Sequence, residues 1–102
     1  MHLVQLLLPL YDNSGASFER TRFDEVRAEL AGEFGGVTAY VRAPAVGLWE
    51  DDDGECERDD VMLFEVLVES LDREWWARYR KTLERRFAQD SVLVRALPAE
   101  QL

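Results

Sequence analysis

The 102-residue chain holds a single cysteine, a single histidine and a single lysine, and each scarcity removes a class of chemistry. Cys56 has no intrachain partner, so the fold is expected without disulfide staples and a reducing, cytoplasmic setting is the simpler one. It also sits among carboxylates, which disfavour the thiolate that a nucleophile needs. His2 lies at a terminus expected to fray, which leaves a Ser-His-Asp or Cys-His arrangement without its base. One histidine and one cysteine make an incomplete zinc site. Glycine-rich phosphate cradles are missing too, because Gly35-Gly36 reads as a helix end and Gly15 as part of a turn.

Long hydrophobic runs are equally scarce. The apolar stretch LVQLLLPL, residues 3–10, is broken by Gln5 and has no basic segment before it, so it reads as neither a signal peptide nor a membrane span. Arginine outnumbers lysine eleven to one, a bias expected of a GC-rich bacterial source. With 47% hydrophobic and 11% aromatic residues, the chain has the composition of one globular domain spanning residues 1–102.

Its charge is concentrated. The formal net charge is −9, yet residues 50–60 hold eight acids against Arg58, a local −7, which leaves −2 for the other 91 residues. Nucleic acid demands a basic stripe and is not an expected partner. The acidic tract WEDDDGECERDD could serve as a cation site, as a lure for a basic protein or as a solvated turn. Placing Gly54 at the sixth position of an EF-hand loop puts Trp49 where the first ligand belongs. That excludes an EF-hand and leaves only loose binding of divalent cations by clustered carboxylates, so no metal or cofactor is expected.

Residues 3–8 read as a buried strand closed by Pro9 and the turn residues YDNSG. Phe23, Val26, Leu30 and Phe34 form one helical stripe, with Ser17 or Thr21 as the expected cap and Gly35 at its end. Residues 37–43 and 60–70 are β-rich. A second helix is expected over 71–88, striped by Trp76, Tyr79, Leu83 and Phe87 and capped by Ser70 or Asp72, before a last strand at SVLVRAL and a frayed tail. The order βαββαβ is that of the ferredoxin-like α+β fold: a four-stranded antiparallel sheet, two helices on one face, and here a protruding β2-β3 hairpin. The first and third runs are the most apolar, as its central strands should be.

Asp53-Gly54 is a strong signal for a two-residue hairpin turn. An uninterrupted ladder from that turn pairs Trp49 with Arg58, Arg42 with Glu65, Tyr40 with Leu67 and Thr38 with Glu69. One face of the sheet then carries Val37, Ala39, Val41, Phe64, Val66 and Val68 toward the helices. The other collects Thr38, Tyr40, Arg42, Leu63, Glu65 and Leu67 with Leu3, Gln5 and Leu7 of the first strand and Leu93 and Arg95 of the last. So many leucines around a few charges require a cover, and the expected one is a second copy about a two-fold axis, giving a dimer or higher even oligomer with Arg42 and Glu65 paired. The second helix carries a net +3, which suits either a solvated face or the acidic arm of a neighbouring copy. Trp75, off the core stripe, is expected under the hairpin or against a partner.

Gly47, Trp49, Asp53 and Gly54 together resemble a group of small bacterial proteins with a G-x-W acidic D-G hairpin between a helix-strand unit and the rest of the fold. That resemblance implies a fold and no reaction. The chain is more distantly similar to dimeric α+β barrel proteins, including small monooxygenases and isomerases, although none of their motifs is matched residue by residue. Two functions are therefore expected: a homodimeric binding or assembly module, or a cofactor-free small-molecule enzyme. Both would use the face of Gln5, Tyr40, Arg42, Glu65 and Arg95. In the second, Arg42 would bind an anion and Glu65 or Tyr40 would move a proton.

Overall fold

The computed structural model describes residues 1–42 and 61–102, and of Arg42 the backbone alone. Its elements follow the expected order: β1 (His2–Pro9), α1 (Arg20–Phe34), β2 (Thr38–Arg42), β3 (Val61–Val68), α2 (Arg73–Arg86) and β4 (Leu93–Pro98). The sheet runs β2-β3-β1-β4 and is antiparallel throughout. This is the ferredoxin-like fold, with the two most apolar strands in the centre.

Alternation explains the layers. Val4, Leu6 and Leu8 pair with Val66, Phe64 and Met62 across the centre of the sheet. All except Met62 are buried in one core with Phe23, Val26 and Leu30 of α1 and Trp76, Tyr79 and Leu83 of α2. Phe87 closes that core beneath Phe18 and Phe23, its ring centroid 5.1 and 5.4 Å from theirs. Among the described residues Trp75 packs on both helices. It stacks on Tyr79 at 4.9 Å and meets Phe34 edge-on at 5.0 Å, because position 75 faces the last turn of α1.

The ends of the helices match expectation unevenly. Asp72 caps α2 by accepting from Trp75 N–H at 3.1 Å. Neither Ser17 nor Thr21 caps α1; Glu19 occupies that position and makes no side-chain cap bond. Gly35 ends α1 at φ +80°, with its N–H on Ala31 O at 2.8 Å, a conformation that costs a residue bearing a Cβ about 1 kcal/mol or more. Ala88 adopts φ +49° after α2 without being glycine. Arg86 grips both oxygens of Glu29, tying α2 to α1, and that carboxylate raises the guanidinium pKa still further.

The loop between β1 and α1 is organised by Asp12. Its Oδ1 accepts from Ser14 N–H, Ser14 Oγ and Ala16 N–H at 2.9, 2.6 and 3.0 Å. The Ser14 hydroxyl and the Ala16 amide hold its carboxyl below the usual range. His2 does not fray: it lies in β1 between Val68 and Pro98.

The register of β2 on β3 differs from the one inferred from the turn. Thr38 faces Glu65, Tyr40 faces Leu63 and Arg42 faces Val61, so each β2 residue meets a partner four positions earlier than expected. Burial of one face discriminates odd from even shifts, and an even shift leaves every side chain on its face. The face assignment therefore survives while the pairing does not. The turn itself, with Trp49, Asp53, Gly54 and Arg58, lies outside the described residues.

Candidate functional site: a polar row across the open sheet face

The register places one residue of each strand on a line across the face away from the helices: Thr38, Glu65, Gln5 and Arg95. The last three are joined by hydrogen bonds. Arg95 Nε donates to Gln5 Oε1 at 2.7 Å, and Gln5 Nε2 donates to Glu65 Oε2 at 2.7 Å. Tyr40, diagonal to Glu65 and within reach of a long side chain, donates its hydroxyl to Glu65 Oε1 at 3.0 Å. Base, amide, acid and phenol thus form one chain. Gln5 has a single orientation that serves it, with its carbonyl toward the guanidinium and its NH2 toward the carboxylate.

The amide is the fixed point of this row. Gln5 is only 9% exposed, and a buried amide has to find partners for both its ends. Arg95 is exposed, and its terminal nitrogens donate to nothing among the described residues. Glu65 is partly buried. Around the row the surface is apolar: Tyr40 is 42% exposed, Leu67 44%, Leu93 50% and Leu97 42%. A shallow notch of about 370 Å³ borders Glu65, where the chain from Phe34 to Thr38 enters the sheet beside Leu67.

Four of the five residues expected on this face, Gln5, Tyr40, Glu65 and Arg95, are brought into one bonded network. Of Arg42 the backbone alone is described; it sits opposite Val61 and not opposite Glu65 as expected, and the Glu65 oxygens accept from Gln5 and Tyr40. Alternation signals which residues share a face but not which of them touch. Among the described residues, no three or more His, Cys, Asp or Glu side chains are placed to hold a metal ion, and no helix is long and apolar enough to cross a membrane. Two buried polar atoms, His2 Nδ1 and the Tyr79 hydroxyl, have no hydrogen-bond partner among the described residues. Burial, reinforced by the Glu29 charge, drives the Tyr79 pKa far above its ordinary value.

No family model matches the chain, and no curated protein matches it by sequence. Among solved structures it is similar to a phage SAM lyase in complex with S-methyl-5′-thioadenosine, with a TM-score of 0.61. The likeness is one of fold. At 13% identity, over 94% of this chain and 79% of the lyase, it extends to the strand and helix arrangement and not to the side chains of a site.

Proposed function

We propose that the protein is a self-associating module whose open sheet face packs on that of a second copy. The observation that carries this reading is the composition of the face: three leucines and a tyrosine, each more than two-fifths exposed, surround a row with a base at one end and an acid toward the other. Such a patch gains by burial. The row also selects the symmetry. A two-fold axis along the strands reverses the row in the partner and sets each Arg95 over the Glu65 side of the other copy. An axis along the row would stack Arg95 on Arg95. The first arrangement matches charges across an isologous contact and suits the aligned packing of two sheets.

The test is the mass in solution of the wild-type protein and of the Leu93→Glu/Leu97→Glu variant, by light scattering at about 100 μM, a concentration at which a micromolar Kd leaves mostly complex. The expected result is an even oligomer that falls to monomer in the variant, with its circular dichroism unchanged. A wild-type monomer at that concentration overturns the proposal.

A second reading uses the same face as a small-molecule site. It is supported by the fold shared with a SAM lyase that holds S-methyl-5′-thioadenosine and by the notch beside Glu65, whose Oε1 accepts a hydrogen bond from the Tyr40 hydroxyl at 3.0 Å. Calorimetric titration with SAM and with S-methyl-5′-thioadenosine tests it. Saturable binding lost in Glu65→Gln would bring this reading forward, and absence of heat with either compound would remove it.

A further inference from the structure

The edge of the sheet opposite the hairpin carries a second surface. β4 is bonded to β1 on one side only, and among the described residues nothing pairs with its outer edge. Its helix-side residues are poorly covered: Val94 is half-buried and Ala96 is exposed, although their partners Leu6 and Val4 are sealed in the core. Helix α2 stops short of this edge. The result is a cleft of about 270 Å³ between α2 and β4, floored by Val4, Trp76 and Val94, with Arg73 and Arg80 on its helical wall. Those two arginines are seven residues apart, roughly 10 Å along the helix axis.

An unpaired strand edge is a template for another strand, and charge decides which one. Antiparallel pairing of β4 with β4 of a second copy would bring two Arg95 side chains together and add two further arginines from each α2. Like charges oppose that contact. An uncharged strand would leave the arginine wall unmatched. The strand that fits is extended and acidic.

The chain contains such a segment. At every second position from 51 to 59 stands an acid: Asp51, Asp53, Glu55, Glu57 and Asp59. In an extended segment alternate residues share a face, about 6.7 Å apart, so Glu55, Glu57 and Asp59 would present three carboxylates to one side. The connection that holds them joins β2 to β3, at the edge of the sheet remote from β4. The strands that flank the donor segment, β2 and β3, thus occupy the side of the sheet away from the acceptor edge.

We propose that the α2-β4 cleft takes the acidic segment 55–59 of a second copy of this chain as an added strand, with its carboxylates on Arg73 and Arg80. The contact is heterologous, head to tail; it borders Arg95 but needs none of the exposed leucines of the open face, and so differs from the isologous two-fold contact.

The test is a fluorescein-labelled synthetic peptide of residues 50–60, titrated with the full-length protein and followed by anisotropy at low salt. The expected result is saturable binding, weakened at least tenfold by Arg73→Glu/Arg80→Glu. Both arginines are exposed, so the variant should keep its circular dichroism. Binding should also weaken at least tenfold when the peptide carries Gln at 55 and 57 and Asn at 59, and it should fall as salt rises toward 0.3 M. Absence of binding, binding indifferent to the arginine variant, or equal binding by an oligoglutamate of the same charge overturns the assignment. A mixing experiment separates this contact from the sheet-face dimer. The Arg73→Glu/Arg80→Glu protein retains the acidic segment, and a Glu55→Lys/Glu57→Lys/Asp59→Lys protein retains the cleft. Native mass spectrometry of the mixture should show a complex that contains both chains and is larger than any complex either protein forms alone, which exchange through the open face by itself does not give. Its absence would overturn the proposal whether or not the open face dimerises.

Discussion

Replacing Gln5 by Met removes the donor and the acceptor at the middle of the polar row while keeping the length of the side chain. Two hydrogen bonds at 2.7 Å are lost, one from a guanidinium and one to a carboxylate. Bonds to charged groups contribute about 1.5–3 kcal/mol each. The lower end applies here because Arg95 is exposed and water can replace the amide at its guanidinium. About 3 kcal/mol is then lost, and the more apolar methionine returns about 1 kcal/mol. The expected cost is about 2 kcal/mol, or roughly an 8–16 °C fall in Tm for a domain of this size. Urea denaturation is the assay: the midpoint should move with the slope unchanged. It should be repeated at several protein concentrations, because association adds apparent stability. The double variant Gln5→Met/Arg95→Met should cost less than the sum of its singles, since the bond between these residues can be broken only once. A midpoint unchanged by Gln5→Met, or strictly additive singles, would show that the row is a set of independently hydrated groups and would remove the basis for treating it as a unit.

Tyr79→Phe deletes a buried hydroxyl that has no partner among the described residues and should leave stability unchanged or raise it by up to about 1 kcal/mol; a loss above about 1 kcal/mol in the same assay would reveal a partner for that group. Ala88→Gly relieves a positive φ after α2 and should stabilise by about 0.5–1 kcal/mol, the reverse of placing alanine at such a site, so a lower Tm would mean that the methyl group contributes more than the strain costs. Asp12→Ala tests the acid limb. Because the folded carboxyl titrates below its unfolded value, its contribution is fully present above about pH 5 and is lost as pH falls through the folded pKa. The Tm difference between wild type and variant should therefore close toward low pH, and a constant difference from pH 7 to pH 2 would contradict the role given to this side chain.

Much of the architecture is legible in residue order because it depends on periodicity. The stripe Phe23, Val26, Leu30 and the stripe Trp76, Tyr79, Leu83 point their helices at the sheet, and the alternation Val4, Leu6, Leu8 against Gln5 and Leu7 separates the two faces. The parts that stay hidden depend on distance between elements. Parity places Glu65 and Tyr40 on one face and sets them diagonal in either register, but only the four-residue offset of β2 puts Thr38 opposite Glu65 in place of Arg42. Trp75 is off the core stripe by angle alone, yet the end of α1 passes close enough to bury it against Phe34. The α2-β4 cleft arises from how far a helix overhangs the outermost strand. Its one trace in the sequence is a pair of arginines seven positions apart on the helix wall, and basic helix residues are as often solvated as used.

The antiparallel pairing of β2 with β3 alone has a consequence for how this chain can change by descent. A strand held on one side slides without disturbing the rest of the sheet, and its faces are preserved only when the slide is even. Two residues inserted or deleted between Arg42 and Val61 can be absorbed as a slide of β2. A slide of one residue would turn Ala39 outward and Tyr40 toward the helices unless a bulge takes it up. Slides of β2 along β3 should therefore come in steps of two.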